Sequence, residues 1–424
     1  MRKLLIAIFT LTSLYACHHD DSNEQEQEHK ARRTVLVYMA AENNLASFAT
    51  SDLNEMQTGS KSLTDDQNLI VYVDKANSMN APFIARVKNG VLTDSVFMPE
   101  GLAADPTVLE SVIRYTRQHF PAKSYGLVLW GHASGWIVSN SDSISLAQSR
   151  AYGGSTGDNT STSSGRYWMN IVPMAKAISN GMENEKLKFV FGDCCNFVCI
   201  ETAYELRNAT EYVLGSSAEI PDAGAPFDVV VPDLFKEDDR FYEDVLNHYY
   251  NHYVTAYKDQ PHTYYNIKSG DLAGYSVPLA AVKTDELPNL ASATARILGT
   301  IADKVNVPGN LDLTGVTYYG YISGRKHAYD MKAVLERNAA ASDYQVWVSS
   351  YDKAVPFGLH SQKWMTNSSL LALDMDDFDA DQEQWGLVSM FFPSSYYDKT
   401  VPNWNDAIQT YAWNEVIRWE QYGW

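Results

Sequence analysis

Short apolar runs, rich in β-branched residues and each closed by a turn, recur along the first half of this chain with helix-patterned stretches between them. Residues 34–40 (TVLVYMA), 68–74 (NLIVYVD), 127–131 (LVLWG), 187–192 (LKFVFG) and 211–215 (EYVLG) are the plainest. They are nearly continuous in apolar character, as strands buried on both faces are, and do not alternate. Parallel strands need crossovers long enough to hold a helix, and connections of that length separate these runs. The pattern confines the chain to an α/β fold with a mostly parallel central sheet and helices on both faces.

Other segments fill in around these runs. A helical stretch follows the turn residues Asn43 and Asn44 and runs through Met56. Residues 83–87 and 91–97, joined by Lys88-Asn89-Gly90, form a hairpin, because Asn-Gly suits the left-handed positions of a tight turn. Asp105-Pro106 opens a helix that runs to residue 120, with Asp105 as its cap. Helices are expected at 169–180, 238–257, 285–305, 328–338 and 405–419, and strands at 275–283, 344–351 and 386–392. Between Ile137 and Arg166 lies a segment rich in Ser, Gly, Thr and Asn, too long for an ordinary connection and therefore functional or disordered. No internal repeat is visible.

The chain has 424 residues and a formal net charge of −19. Nucleic-acid backbones are bound through Lys/Arg stripes that release counterions, so this balance argues against nucleic acid and favours a cationic substrate. At the N-terminus, Arg2 and Lys3 precede an apolar stretch at 4–14 that is too short to span a bilayer, the pattern of an export signal. Leu14-Tyr15-Ala16-Cys17 resembles the bacterial lipobox, which implies that Cys17 is acylated and anchors the chain; plain secretion with cleavage nearby is the alternative. Residues 18–33 are polar and acid-rich and read as a disordered tether.

Two strand ends carry reactive side chains. The run at 127–131 delivers His132 and the run at 187–192 delivers Cys195, and the carboxyl ends of parallel strands are where catalytic groups collect. A thiol nucleophile needs a proton partner and donors for a developing oxyanion. The small residues Gly131, Ala133 and Gly135 would let backbone N–H groups approach a carbonyl, and a helix N-terminus at Cys195 would lower its pKa. With Cys17 acylated, only Cys194, Cys195 and Cys199 remain, too close together for an ordinary disulfide framework. Asp193 lies two residues before Cys195 and shares its face in extended geometry. There it either caps the following helix or holds a cationic substrate group. Competing sites are weaker. Ser134 is in the wrong place for a serine-hydrolase elbow, the cysteines lack zinc-ligand spacing, and His248 with His252 lacks the adjacent general-base Glu.

In order along the chain, residues 34–45, the segment 129–136 (LWGHASGW), the segment 191–195 (FGDCC) and the segment 212–219 (YVLGSSAE), followed by Pro221 and 226–228 (PFD), resemble the clostripain family of cysteine peptidases. The resemblance implies a caspase-like fold, with a catalytic domain at 34–305 and a smaller C-terminal subdomain at 306–424. It implies a Cys195/His132 dyad cleaving after Arg or Lys, oxyanion donors on the backbones of Ala133 and Cys195, and Asp193 with Asp222 receiving the basic side chain. Ala133 stands where the family usually has Gly, and Cys194 where it has Ala; neither change removes a required group. It further implies processing within 137–166 at Arg150 or Arg166 and protein or peptide substrates, with no required cofactor or metal and calcium as an option. The export signal and the lipobox imply a place in the bacterial cell envelope, lipid-anchored at the outer membrane or cell surface. The competing class is a catalytically weak or inactive surface lipoprotein using the fold for binding.

Overall fold

The structure, a computed structural model, describes residues 30–78, 81–138, 152–163, 165–258, 273–303, 311–322, 324–366, 371–379, 385–400 and 403–423. The expected runs form strands. In chain order the first part comprises β1 (Ala31–Ala41), helix α1 (Ala46–Gly59), β2 (Gln67–Lys75), β3 (Phe83–Lys88), β4 (Val91–Phe97), α2 (Pro106–His119) and β5 (Ala122–Trp130). Asn89 and Gly90 both take positive φ in the β3–β4 turn, and the Asp105 carboxylate accepts the Thr107 N–H at the start of α2. After β5 come β6 (His132–Ala133), β7 (Tyr152–Ser155), β8 (Tyr167–Met169), α3 (Ile171–Gly181), β9 (Leu187–Asp193), α4 (Ile200–Leu206) and β10 (Thr210–Ser216). Then follow α5 (Phe227–Asp233), α6 (Phe241–Lys258), β11 (Leu279–Lys283) and α7 (Leu287–Ala302).

The main sheet has nine strands, and its centre, in spatial order β10-β9-β5-β1-β2, is parallel. Antiparallel strands complete both edges. Taking the parallel strands alone, chain order reverses between β1 and β5. A crevice therefore opens beyond the carboxyl ends of these strands, where the following loops part to opposite faces. Strand alternation builds two apolar layers. Leu36, Tyr38 and Ala40 of β1 pack with residues of α2, α3, α4 and α7. Val35, Val37 and Met39 pack on the other side with α1, α5 and α6. The caspase-like α/β sheet expected from the sequence is thus present.

The last hundred residues depart more from expectation. They contain β12 (Tyr318–Ile322), β13 (Arg325–Asp330), α8 (Met331–Asn338), α9 (Ala341–Ala354), β14 (Phe357–Leu359), β15 (Lys363–Thr366), β16 (Leu371–Asp374), β17 (Ser389–Met390), α10 (Trp404–Ile408) and α11 (Ala412–Ile417). Residues 344–351, expected as a strand, lie inside α9. Tyr344, Trp347 and Tyr351 fall on one helical face and are all buried, and aromatic composition hid that period. The expected helix at 328–338 starts late because 325–330 pair as a strand and Asp330 then caps α8. The strand expected at 386–392 shrinks to β17, since Leu387 takes a left-handed φ. The helix expected at 405–419 breaks in two where Tyr411 turns its hydroxyl to the Trp136 carbonyl. β14 joins the edge of the main sheet beside β11, and many buried aromatics of this part share the apolar layer of α2 and α3.

A further correction concerns the polar segment at 137–166. Its second half is folded: β7 and β8 pair with each other and with β6 in a small antiparallel sheet. Tyr152 is fully buried, with its hydroxyl directed to the carbonyls of Tyr38 and Trp130. The Glu42 side chain accepts from the Asn159 N–H and from Thr156 Oγ1. A composition rich in Ser, Gly and Thr concealed strands held by side-chain and main-chain hydrogen bonds and by the buried Tyr152 and Met169.

Candidate active site

The carboxyl ends of β5 and β9 lie side by side, with Trp130 in register with Asp193. Immediately after Trp130 the chain turns at Gly131, whose φ is +145°; a Cβ there would stand 3.1 Å from the Ala40 carbonyl. His132 and Ala133 then pair with Gly153 and Tyr152. The backbone of His132 is therefore fixed by a sheet, although its ring reaches a pocket. That ring points Nε2 at Asn44 Oδ1, 2.7 Å away, with the Trp168 ring centroid 6.3 Å from its own.

Past Asp193 the side chains keep alternating. Cys194 is fully buried among the residues of the α2–α3 layer. Cys195 faces the other way, packs against the layer of α1 and α6, and reaches the pocket. The expected helix N-terminus at Cys195 is not there: α4 begins at Ile200, with Cys199 preceding it. No helix dipole lowers this thiol. Burial pushes the Cys195 thiol up, and the carboxylates of Glu219, Asp222 and Asp193 push it the same way against the Ile220 N–H. That N–H donates to Cys195 Sγ at 3.4 Å. A thiol in these surroundings rests protonated, so it needs a base within the site to become a nucleophile.

Asp193 does not cap the segment after it. Its carboxylate accepts the Ala225 N–H at 3.0 and 3.2 Å and the Tyr249 hydroxyl at 3.2 Å. Gly224, at φ +58°, lies so close that a Cβ there would be 2.5 Å from Asp193 Oδ2, so only glycine admits the carboxylate. Burial raises the Asp193 carboxyl to about 7 against those two hydrogen bonds. Beside it stand two more acids of α1, Asp52 buried and Glu55 half-buried. Asp52, which accepts the Trp130 indole N–H at 2.6 Å, is raised to about 9 by burial and by Asp193. Glu55, which accepts the Phe227 N–H, is raised to about 7, chiefly by burial.

One narrow pocket gathers these groups: His132, Cys195, Asp193 and Asp222 line it together with Trp130 and Ile220. Gly131 lines it as well, whereas Ala133 pairs with Tyr152 in β6 and is not among its lining residues. A larger cleft of about 870 Å³ opens between α1, β2 and the β7–β8 turn, with Glu42, Asp74, Glu100 and Asp158 on its walls and neither thiol nor imidazole. Among the described residues no three His, Cys, Asp or Glu side chains gather as a metal site, and no helix is long and apolar enough to cross a membrane. Of the residues singled out in the sequence, Cys17 and Arg150 lie outside the described residues. Arg166 is exposed, with its N–H donating to the Ser155 carbonyl and its guanidinium 3.8 Å from Asp158. Asn44, Tyr249 and the Ile220 N–H were not assigned roles from the sequence. Only Asn44 left a trace there, in the Asn-Asn-Leu turn that closes β1.

A family model, that of the clostripain family, matches residues 37–422. No curated protein matches the chain significantly. Among solved structures, a secreted C11 cysteine protease from Bacteroides thetaiotaomicron, in complex with an irreversible peptide inhibitor, is 26% identical with a TM-score of 0.73, over 92% of this chain and 99% of its own. An inactive zymogen C11 protease from Parabacteroides distasonis shares the fold at 22% identity and a TM-score of 0.69, over 92% and 98%. A second secreted C11 protease from Bacteroides thetaiotaomicron does so at 18% identity and 0.70, over 92% and 99%.

Proposed function

The chain belongs to the clostripain family and is a cysteine peptidase, and from that premise we propose that Cys195 is its nucleophile, His132 its proton carrier and Asp193 its selector for Arg or Lys. The observation that carries the reading is the meeting of these three side chains, from two strand ends, in one pocket. A buried carboxylate with two hydrogen-bond donors and an open side is built to accept a cation. Burial holds Asp193 up to about 7; an entering guanidinium or ammonium favours its ionised form.

With the substrate side chain seated, the Cys195 thiol gives its proton to His132 and sulfur attacks the carbonyl carbon of the basic residue. The carbonyl π electrons move to oxygen, which accepts from the N–H groups of Ala133 and Cys195. Collapse of this adduct breaks the C–N bond, and the leaving amine takes the proton from His132. Water then attacks the thioester, giving a proton to His132, and the second collapse returns that proton to Cys195 as the acid leaves. No step calls for a metal or cofactor. Calcium, if used, would act elsewhere than on the reacting atoms.

Self-processing fits the same preference. Arg166 is tied into the β7–β8 hairpin by its N–H, whereas Arg150 lies just before β7, which leaves the site from beside His132 and Ala133. The proposed cut falls after Arg150, after Arg166 or after both. The N-terminal export pattern, the Cys17 lipobox and a secreted relative support export with lipid anchoring in the envelope. The test is a panel of fluorogenic peptides with Arg, Lys or a neutral residue before the leaving group. Arg and Lys substrates should turn over, Cys195→Ala should abolish turnover and Cys194→Ala should largely spare it. Turnover confined to neutral residues, or loss in Cys194→Ala alone, would overturn the assignment.

A further inference from the structure

The geometry points to Asn44 as a positioning residue for His132: its side-chain carbonyl fixes the ring orientation and the tautomer with which the histidine meets Cys195. This rests on the reading of His132 and Cys195 as the reacting pair.

The observation begins with what Asn44 does not do. The turn after β1 is closed by its neighbour. Asn43 Nδ2 donates to the carbonyls of Ala40 and Gly153, and Asn43 Oδ1 accepts the Leu45 N–H. Asn43 is fully buried while Asn44 is exposed. The Asn44 side chain is therefore spare as far as the turn is concerned, yet its Oδ1 lies 2.7 Å from His132 Nε2.

The backbone that carries this side chain is also held in place. The Asn44 main-chain N–H donates to the Ser163 carbonyl at 2.9 Å, and Glu42, two residues earlier, binds Thr156 and Asn159 of the same hairpin. The hairpin that pairs with His132 through β7 thus also anchors the residue that faces its ring. Sheet pairing fixes the backbone of His132, and the bond to Asn44 constrains the orientation of its ring.

The chemical consequence follows from which atoms meet. An amide oxygen accepts, so Nε2 carries the hydrogen and Nδ1 is left as the unprotonated nitrogen. Nδ1 then takes the Cys195 proton, and the imidazolium so formed keeps a stronger, charge-assisted bond to Asn44. Loss of Asn44 removes the acceptor that favours this orientation and this tautomer over the one in which Nδ1 carries the hydrogen. A resting thiol pushed up by burial and three carboxylates depends on a correctly presented base.

The test compares wild type, Asn44→Ala, Asn44→Asp and His132→Ala in two assays. One is steady-state hydrolysis of an Arg peptide. The other is alkylation of Cys195 by iodoacetamide across pH, read on that residue by peptide fragmentation, which needs no substrate binding. Asn44→Ala should lower kcat about 10- to 100-fold with KM within about twofold, the loss of one charge-assisted hydrogen bond formed on the way to the transition state. Its alkylation near neutral pH should slow towards that of His132→Ala, with an unchanged melting temperature because the side chain is exposed. Asn44→Asp keeps an acceptor of the same shape and should retain alkylation, with the acid limb of the profile moved up by about 1 unit or more, since a carboxylate on Nε2 favours the imidazolium. The other titratable groups of the pocket, Asp193, Cys195 and Asp222, are the same in all the Asn44 variants. If His132→Ala is slowed and Asn44→Ala matches wild type in both assays, the role of Asn44 is overturned and the dyad stands. If His132→Ala itself alkylates and hydrolyses like wild type, the dyad reading falls and takes this one with it.

Discussion

Asp193 and Asp330 occupy matching places in two parts of the molecule: each is the last residue of a strand, and they are 2% and 0% exposed. Their surroundings differ. Asp330 accepts from the Ala333 N–H, the Tyr319 hydroxyl and the N–H groups of Gly386 and Leu387, at 2.7 to 3.0 Å. Four donors on two oxygens saturate it, and they tie β12, α8 and the chain around 386 to a single carboxylate. Asp193 has two donor groups and a pocket in front of it. Burial alone does not distinguish a structural acid from a recognition acid. What distinguishes them is whether the protein has filled the lone pairs or left some for a ligand.

The comparison breaks most easily at Asp330. Asp330→Ala strands four buried donors and removes a helix cap, so it should cost at least about 3 kcal/mol of stability, read by urea unfolding. Protein that still folds should keep its preference among substrates. Asp193→Asn should do the reverse. It should cost under about 1 kcal/mol of stability and lower kcat/KM for Arg and Lys peptides by about 1.5–3 kcal/mol, roughly 10- to 150-fold, with neutral peptides little changed. Equal stability losses at the two sites would erase the distinction.

Ionisation sharpens the contrast further. Because burial raises the Asp193 carboxyl to about 7, the ratio of kcat/KM for an Arg peptide to that for a neutral one should rise as pH increases through about 7 and then level off. The ratio cancels the titration of the dyad. In Asp193→Asn it should be flat. A smaller effect concerns stability. Folded-state values raised above the unfolded ones, as for Asp52 at about 9 and Glu201 at about 8, mean that the folded state holds more protons than the unfolded state between about pH 4 and 9. Stability therefore falls as pH rises through that window. The melting temperature should be lower at pH 9 than at pH 6, and Asp52→Asn should flatten that slope.

The central sheet was readable because its strands are buried on both faces and announce themselves as continuous apolar runs. His132, Cys195 and Asp193 were readable because they interrupt those runs at their carboxyl ends. The last hundred residues were not, since their aromatics serve helix and strand alike: Tyr344, Trp347 and Tyr351 lie on a helix that β-propensity argued against. The β7–β8 hairpin escaped because Gly153, Ser155 and Thr156 belong to a stretch with loop composition, and only three-dimensional partners such as Glu42 and Tyr38 reveal why it folds. Asn44 escaped for a related reason, since its role depends on a histidine 88 residues away in sequence.

The measurement that tests the account most directly is covalent trapping of the nucleophile by an irreversible, thiol-directed peptide ending in Arg, with a matched peptide ending in a neutral residue as reference. The wild-type protein should gain one label, located on Cys195, much faster from the Arg reagent, and Asp193→Asn should lose that advantage while still being labelled at Cys195. Labelling on Cys194, or equal rates for the two reagents in the wild-type protein, would contradict the claim that Asp193 presents a basic residue to Cys195.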